Sequence, residues 1–202
     1  MLEVIAIATL IGAVAADQAE EPPRTSGLDL ALQHLEQLKQ RIVQAHGEQL
    51  DPDQDFYLAD WSVPDEVIEW WNTTTNTRWL DTGTNRIAVR IPDGRVLKLA
   101  LDPDGRASNL AELETWNSAQ SDRQVLDFLV PIHAGNEHFI LMDYAKPLGL
   151  ELPDALDRRF RQRNQKWGDL LFQGRSRARD VPYFNWGIHQ GRIRLLDYEA
   201  HP

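Results

Sequence analysis

Cysteine is absent from all 202 residues, which excludes disulfides, thiolate nucleophiles and zinc–thiolate sites. Any metal must then be held by carboxylate, amide or imidazole groups. Positive charge is scarce too: 21 Lys and Arg against 31 Asp and Glu leave a formal net charge of -10. That balance argues against nucleic-acid binding, in which clustered Lys and Arg neutralise the phosphate backbone. There is no internal repeat and no low-complexity tract. Nor does any apolar run reach the roughly 20 residues that span a bilayer. The longest, "MLEVIAIATLIGAVAA", has small residues suited to signal cleavage, but it carries Glu3, and the first basic residue is Arg24. Secretion and membrane contact are therefore not favoured, and a helix buried against a partner or its own domain is the preferred reading.

What is present, 42% apolar content, is enough to bury a core. Residues 1–25 are the apolar segment and an acidic, then Pro-rich linker. Residues 26–77 form a helical extension. Within it Leu28, Ala31, Leu35, Leu38, Ile42 and Ala45 make the seam of an amphipathic helix. Its shortness favours packing on the same chain over self-association. A second helix follows, with Pro64 in its first turn and Val67, Trp70 and Trp71 buried.

At Arg78 the period changes. "RWLDTGTNRIAVRIPDGRVLKLALDPDG" predicts three antiparallel strands separated by turn signals. A helix from Asn109 to Ala119 with Ser108 as its N-cap comes next, then two strands around a Gly-Asn turn. Residues 78–145 thus read as a small antiparallel sheet with one helix against it, an α+β arrangement. Residues 146–202 read as a reduced second lobe: a helix carrying Leu156, Phe160, Trp167 and Leu170 to Phe172, a loop, and a terminal hairpin turning at Gln190-Gly191.

The order of these elements, with the motifs "RVLKLA", "ARDVPYFN" and "LLDYE", resembles the protein-kinase-like superfamily from about Trp79 to Tyr198. The resemblance implies ATP and magnesium as cofactors. It places Lys98 at the phosphate-holding lysine of the third strand, with Glu112 as its ion-pair partner. It places Asp180 at the catalytic base, and Asn185 and Asp197 at the metal-binding positions. Gly83 would belong to the phosphate-covering loop. Met142, Tyr144 and Ala145 would lie on the connection that contacts adenine through backbone groups. The chemistry is coherent: phosphoryl transfer needs phosphate charge neutralised by a fixed lysine and an oxygen-held divalent ion, and a carboxylate to orient the acceptor hydroxyl.

Each residue also has a plainer reading. Lys98 could sit on a solvated strand face, Glu112 competes with Glu114, and Asp180 and Asn185 could be ordinary turn residues. Asp197 ends the apolar run "IRLL", where a charge demands a partner or a metal. Several positions depart from the family pattern. Gly83 stands alone where several glycines are usual, Ala178 replaces histidine, Pro182 replaces a second lysine, and Glu199 replaces the last glycine of D-F-G. No activation segment follows. The alternative is therefore a catalytically idle kinase-fold protein, with a partner or assembly engaged through residues 1–46. The ending "NWG…GR…LLDYE" is similar to short kinase-like proteins of bacteriophages and archaeal viruses, which implies a cytoplasmic or virion-associated location.

Arg158, Arg159, Arg161, Arg163, Lys166, Arg175, Arg177 and Arg179 make the approach to the catalytic-type loop basic. They form either a solvated face or a collar that attracts an anionic substrate or an acidic neighbour. His133, His138, His189 and His201 have no mutual spacing that makes a metal site.

Overall fold

The computed structural model describes residues 27–46, 63–149, 151–172 and 183–198. The apolar N-terminus and the linker lie outside these residues, as does Asp180. Among the described residues, no helix is long and apolar enough to cross a membrane.

Helix α1 runs from Gly27 to His46 and buries Ala31, Leu35, Leu38 and Ile42. This is the seam read from the sequence, fading at its ends, where Leu28 is half-buried and Ala45 exposed. Helix α2, Asp65–Thr75, packs beside it. Pro64 precedes the first turn instead of sitting in it. Its carbonyl accepts from the Val67 and Ile68 amides, and Asn76 closes the helix in the left-handed region at φ 52°. Trp71 is fully buried, whereas Trp70 is only half-buried under the Arg41 guanidinium, 4.1 Å from the ring centre.

Both helices cover one face of a five-stranded antiparallel sheet ordered β1-β2-β3-β5-β4. Its strands are β1 (Arg78–Thr82), β2 (Arg86–Arg90), β3 (Val96–Ala100), β4 (Ile132–Gly135) and β5 (Phe139–Met142). Period-2 alternation sends Ile87, Val89, Leu97, Leu99 and Leu141 into that helical layer. The extension is thus an integral layer of the fold. The buried seam of α1 packs against α2 and the sheet of the same chain.

Helix α3, Pro103–Ala119, connects β3 towards β4 and packs on the other side, followed by the short helix α4, Arg123–Leu126. The start of α3 corrects the sequence expectation. Asp102, not Ser108, is the N-cap: its side chain accepts from the Gly105 amide at 2.7 Å, and Pro103 opens the helix without an amide to satisfy. "DPDG" therefore begins a helix instead of making a turn. The earlier "PDG" does make the turn, with Gly94 at φ 92°.

The remainder comprises β6 (Lys146–Pro147), α5 (Asp154–Phe172), a 3-10 turn (Tyr183–Asn185), β7 (Trp186–His189) and β8 (Arg192–Leu195). Strands β6, β7 and β8 form a second, antiparallel sheet in that order. Gln190 and Gly191, at φ 49° and 74°, close the hairpin as a two-residue turn with both centres left-handed. Strand β6 and helix α4 were not legible, being two and four residues long. The segment 127–130 joins the two sheets. Leu129 bridges Leu195 in parallel, the Val130 amide donates to the Leu195 carbonyl, and the Arg163 side chain reaches back to Asp127.

Candidate functional site

Leu97 and Leu99 are fully buried in the helical layer, so Lys98 between them projects from the opposite face of β3. There it meets the buried side of α3. Its buried residues are Gly105, Asn109 and Glu112, spaced four and three apart, and Ala119, so the first half of the helix presents polar groups to the sheet while Leu113, Trp116 and Ala119 pack on the apolar core further along. Glu112 is wholly buried and Glu114 exposed, which separates the two candidate acids.

The Lys98 Nζ donates to Glu112 Oε1 at 2.7 Å and to the Leu196 carbonyl at 2.8 Å, and lies 3.5 Å from Asp197 Oδ1. Lys98, Glu112 and Asp197 thus converge from a strand, a helix and the end of a hairpin. Hairpin register brings Asn185 alongside: Trp186 pairs with Leu195, and the Leu196 amide donates to the Asn185 carbonyl at 2.7 Å. Asn185 and Asp197 therefore leave the same end of the hairpin. Asp180 lies outside the described residues.

A fourth charged group completes the cluster, and sequence reasoning missed it. Arg86 donates through Nη1 to Glu112 Oε1 at 2.7 Å and through Nη2 to Asp197 Oδ1 at 2.9 Å, with Asn109 Oδ1 at 3.4 Å. Strand pairing explains its place. Ala88 faces Lys98 and Arg86 faces Ala100, so Arg86 is the diagonal neighbour of Lys98 on one face. The alternation in "RIAVR" would have put Arg86 on the Lys98 side, but its partners lie 26 and 111 residues away.

Burial sets the electrostatics. It pushes the Glu112 carboxyl up to about 8, against the pull of Lys98 and with the push of Asp197. Burial also opposes ionisation of Asp197, yet Lys98, the hydrogen bond with Glu112 and the Arg86 guanidinium outweigh it and hold Asp197 well below the usual carboxylate range. A hydrogen bond shared by the two carboxyls pushes Glu112 up and Asp197 down. Tyr198 is buried beside the two acids and donates to the Val130 carbonyl at 3.0 Å. Burial raises its phenol far above the ordinary value.

The other expected contacts are dispersed. The Gly83 amide is engaged by the Arg86 carbonyl at 2.8 Å within the β1–β2 turn. Met142 is buried opposite Val96 on the Lys98 face, and Tyr144 lies under the Arg90 guanidinium, 4.4 Å from the ring centre. Ala145 is buried against Gly187, where an added Cβ would sit 2.9 Å from the Lys146 carbonyl and 3.2 Å from the Ala145 methyl. Of the basic residues, Arg163 lies 3.7 Å above the Phe128 ring and, with Arg192, pairs with Asp127, so it is structural. His133 and His189 both meet Asp143, at 2.7 and 3.5 Å, a convergence their spacing did not reveal.

Among the described residues, no group of three or more His, Cys, Asp and Glu is arranged to hold a metal. The donor set at the cleft nevertheless suits magnesium, which accepts one carboxylate with amide, water and phosphate oxygens. Asp197, 34% exposed at its side chain, offers such an oxygen, and Asn185, at the same end of the hairpin, carries an amide.

In comparisons with known proteins, no family model matches the chain and no curated protein aligns with it significantly.

Proposed function

We propose that the chain is a kinase-like phosphotransferase of unidentified acceptor, binding ATP between the five-stranded sheet and the β7–β8 hairpin. The observation that carries this reading is Lys98, buried against Glu112 at 2.7 Å and 3.5 Å from Asp197 at the hairpin end. The sheet order, with α3 inserted before β4, and the shared hairpin end of Asn185 and Asp197 support it. In this reading Lys98 neutralises phosphate charge and Glu112 fixes its ammonium. Asp197 and Asn185 hold magnesium, which draws charge from the phosphoryl oxygens. Asp180 orients the acceptor hydroxyl, and Met142, Tyr144 and Ala145 flank the base.

The test is a thermal shift of the full chain with ATP and magnesium. ATP at 100 times its dissociation constant stabilises by about 2.7 kcal/mol. Lys98→Ala and Asp197→Ala are expected to abolish that increment. No shift at millimolar ATP removes the reading.

A second reading is a catalytically idle kinase-fold protein that docks to a partner or virion assembly through residues 1–46. The observation that favours it is Arg86, which already neutralises Asp197. Because the buried seam of α1 is covered by its own chain, such a partner would engage residues 1–26 or the outer face of α1. This reading predicts ATP-independent assembly that survives Asp197→Ala.

A further inference from the structure

Asp197 Oδ1 receives two cations, Arg86 at 2.9 Å and Lys98 at 3.5 Å, and Glu112 Oε1 receives the same two at 2.7 Å each. Only 11% of the Arg86 side chain and 12% of that of Lys98 are exposed, so solvent screens these contacts weakly. With Glu112 ionised, the four groups sum to zero; with Glu112 neutral, they sum to one positive charge. Among the described residues, neither state leaves a net negative charge to draw a bare divalent cation. A metal approaching Asp197 Oδ1 would compete with a guanidinium for that oxygen, and at either oxygen it would meet like charge from Arg86 and Lys98.

We propose that Arg86 is an internal counter-ion that keeps a divalent metal off Asp197 until a polyphosphate enters, so that the cleft loads its anion first and its metal with or after it. The proposal rests on the reading of the cleft as a nucleotide site only for its second half. The exclusion of metal from the nucleotide-free chain stands on the contacts of Arg86, with Lys98 beside it. A polyphosphate changes the balance because its several negative charges offer Arg86 alternative partners. Once the guanidinium turns to phosphate, Asp197 Oδ1 and the Asn185 oxygen are left to the metal, and phosphate oxygens complete the shell. Arg86 suits this role because its forked guanidinium bonds two carboxylates at once and can bond phosphate in the same way.

The experiment is a manganese titration of the full-length chain followed by electron paramagnetic resonance, for wild type, Asp197→Asn and Arg86→Gln, each with and without a non-hydrolysable ATP analogue. Without nucleotide, wild type is expected to bind Mn2+ no more tightly than Asp197→Asn. Arg86→Gln is expected to bind it at least about ten-fold more tightly, a difference of about 1.4 kcal/mol. With the analogue, wild type should gain a Mn2+ site that Asp197→Asn lacks. Nucleotide-free wild type that binds Mn2+ ten-fold more tightly than Asp197→Asn overturns the exclusion, as does Arg86→Gln that stays folded by circular dichroism and gains nothing. Should Arg86→Gln fail to fold, the wild type and Asp197→Asn pair still decides. If no variant binds the analogue, the nucleotide reading and the anion-first half fall, while the nucleotide-free arm still judges Arg86.

Discussion

The two faces of the five-stranded sheet are built from the same strands by the same alternation, yet they do opposite things. One face, with Ile87, Val89, Leu97, Leu99 and Leu141, is dry and covered by α1 and α2. The other, around Arg86 and Lys98, meets a helix that buries Gly105, Asn109 and Glu112 there and packs Leu113, Trp116 and Ala119 on a second apolar core. The apolar face gains stability from area removed from water, a non-directional effect that tolerates small shifts. The polar face depends on distances near 3 Å among four titratable groups, where loss of one partner leaves another buried without it. Both sides bury an apolar core, the second one around Val96, Ile140, Met142 and Trp186, but only the Lys98 side embeds charged groups beside it.

The largest effect should come from the dry face. Trp71→Ala, at a fully buried position between α2 and the sheet, is expected to cost about 3–5 kcal/mol in urea unfolding. Any ATP-induced increment in thermal stability should be unchanged in that variant. A vanished increment would mean that the two faces are coupled and the comparison is too sharp.

Next in size is a pH effect from the polar face. Glu112 has a folded-state pKa raised to about 8 from 4.5, so its contribution is complete below the unfolded value and lost as pH rises through about 8. Asp197 is shifted the other way and is already ionised across this window, so it does not offset the loss. Wild type should therefore lose stability relative to Glu112→Gln between about pH 4.5 and 8 in parallel thermal melts. Parallel curves would show Glu112 ionised throughout, held as a true ion pair with Lys98 and Arg86.

The smallest effect belongs to the rim of the dry face. Arg41→Ala removes an exposed guanidinium over Trp70 and is expected to cost about 0.5–1 kcal/mol. A larger loss would mean that the half-buried indole depends on the Arg41 stem for cover.

Much of this was written locally in the chain. The seam from Ala31 to Ile42, the alternation in "RIAVR" and "VLKLA" and the Gln190-Gly191 turn each follow from neighbours a few residues apart. Asp197 was legible for a related reason, since a carboxylate after "IRLL" has to find a cation. Its cation was not legible, because Arg86 lies 111 residues upstream and reaches the cleft only through strand pairing. The start of α3 was misread because "PDG" and "DPDG" look alike. What distinguishes them is Asp102, placed to cap three amides on, and the Asn85 carbonyl, which accepts the Leu101 amide at 2.9 Å and draws the chain in.

That carbonyl gives the molecule a mechanical property. A Cβ built on Gly105 would stand 2.3 Å from the Asn85 oxygen and 3.2 Å from the Arg86 Cγ, so the first turn of α3 rests bare against the root of β2. Glu112 lies seven residues further along the same rigid rod, about 10 Å away at 1.5 Å per residue. The contact at Gly105 is a fulcrum, and α3 is a lever with a carboxyl group on its far arm. A tilt of a few degrees at that fulcrum displaces the carboxyl group by a good fraction of an ångström, while Arg86, rooted beside the fulcrum, hardly moves. The aim of Glu112 is thus set partly at the one point along α3 where there is no side chain to adjust, with Asn109 on the Glu137 carbonyl as a second hold.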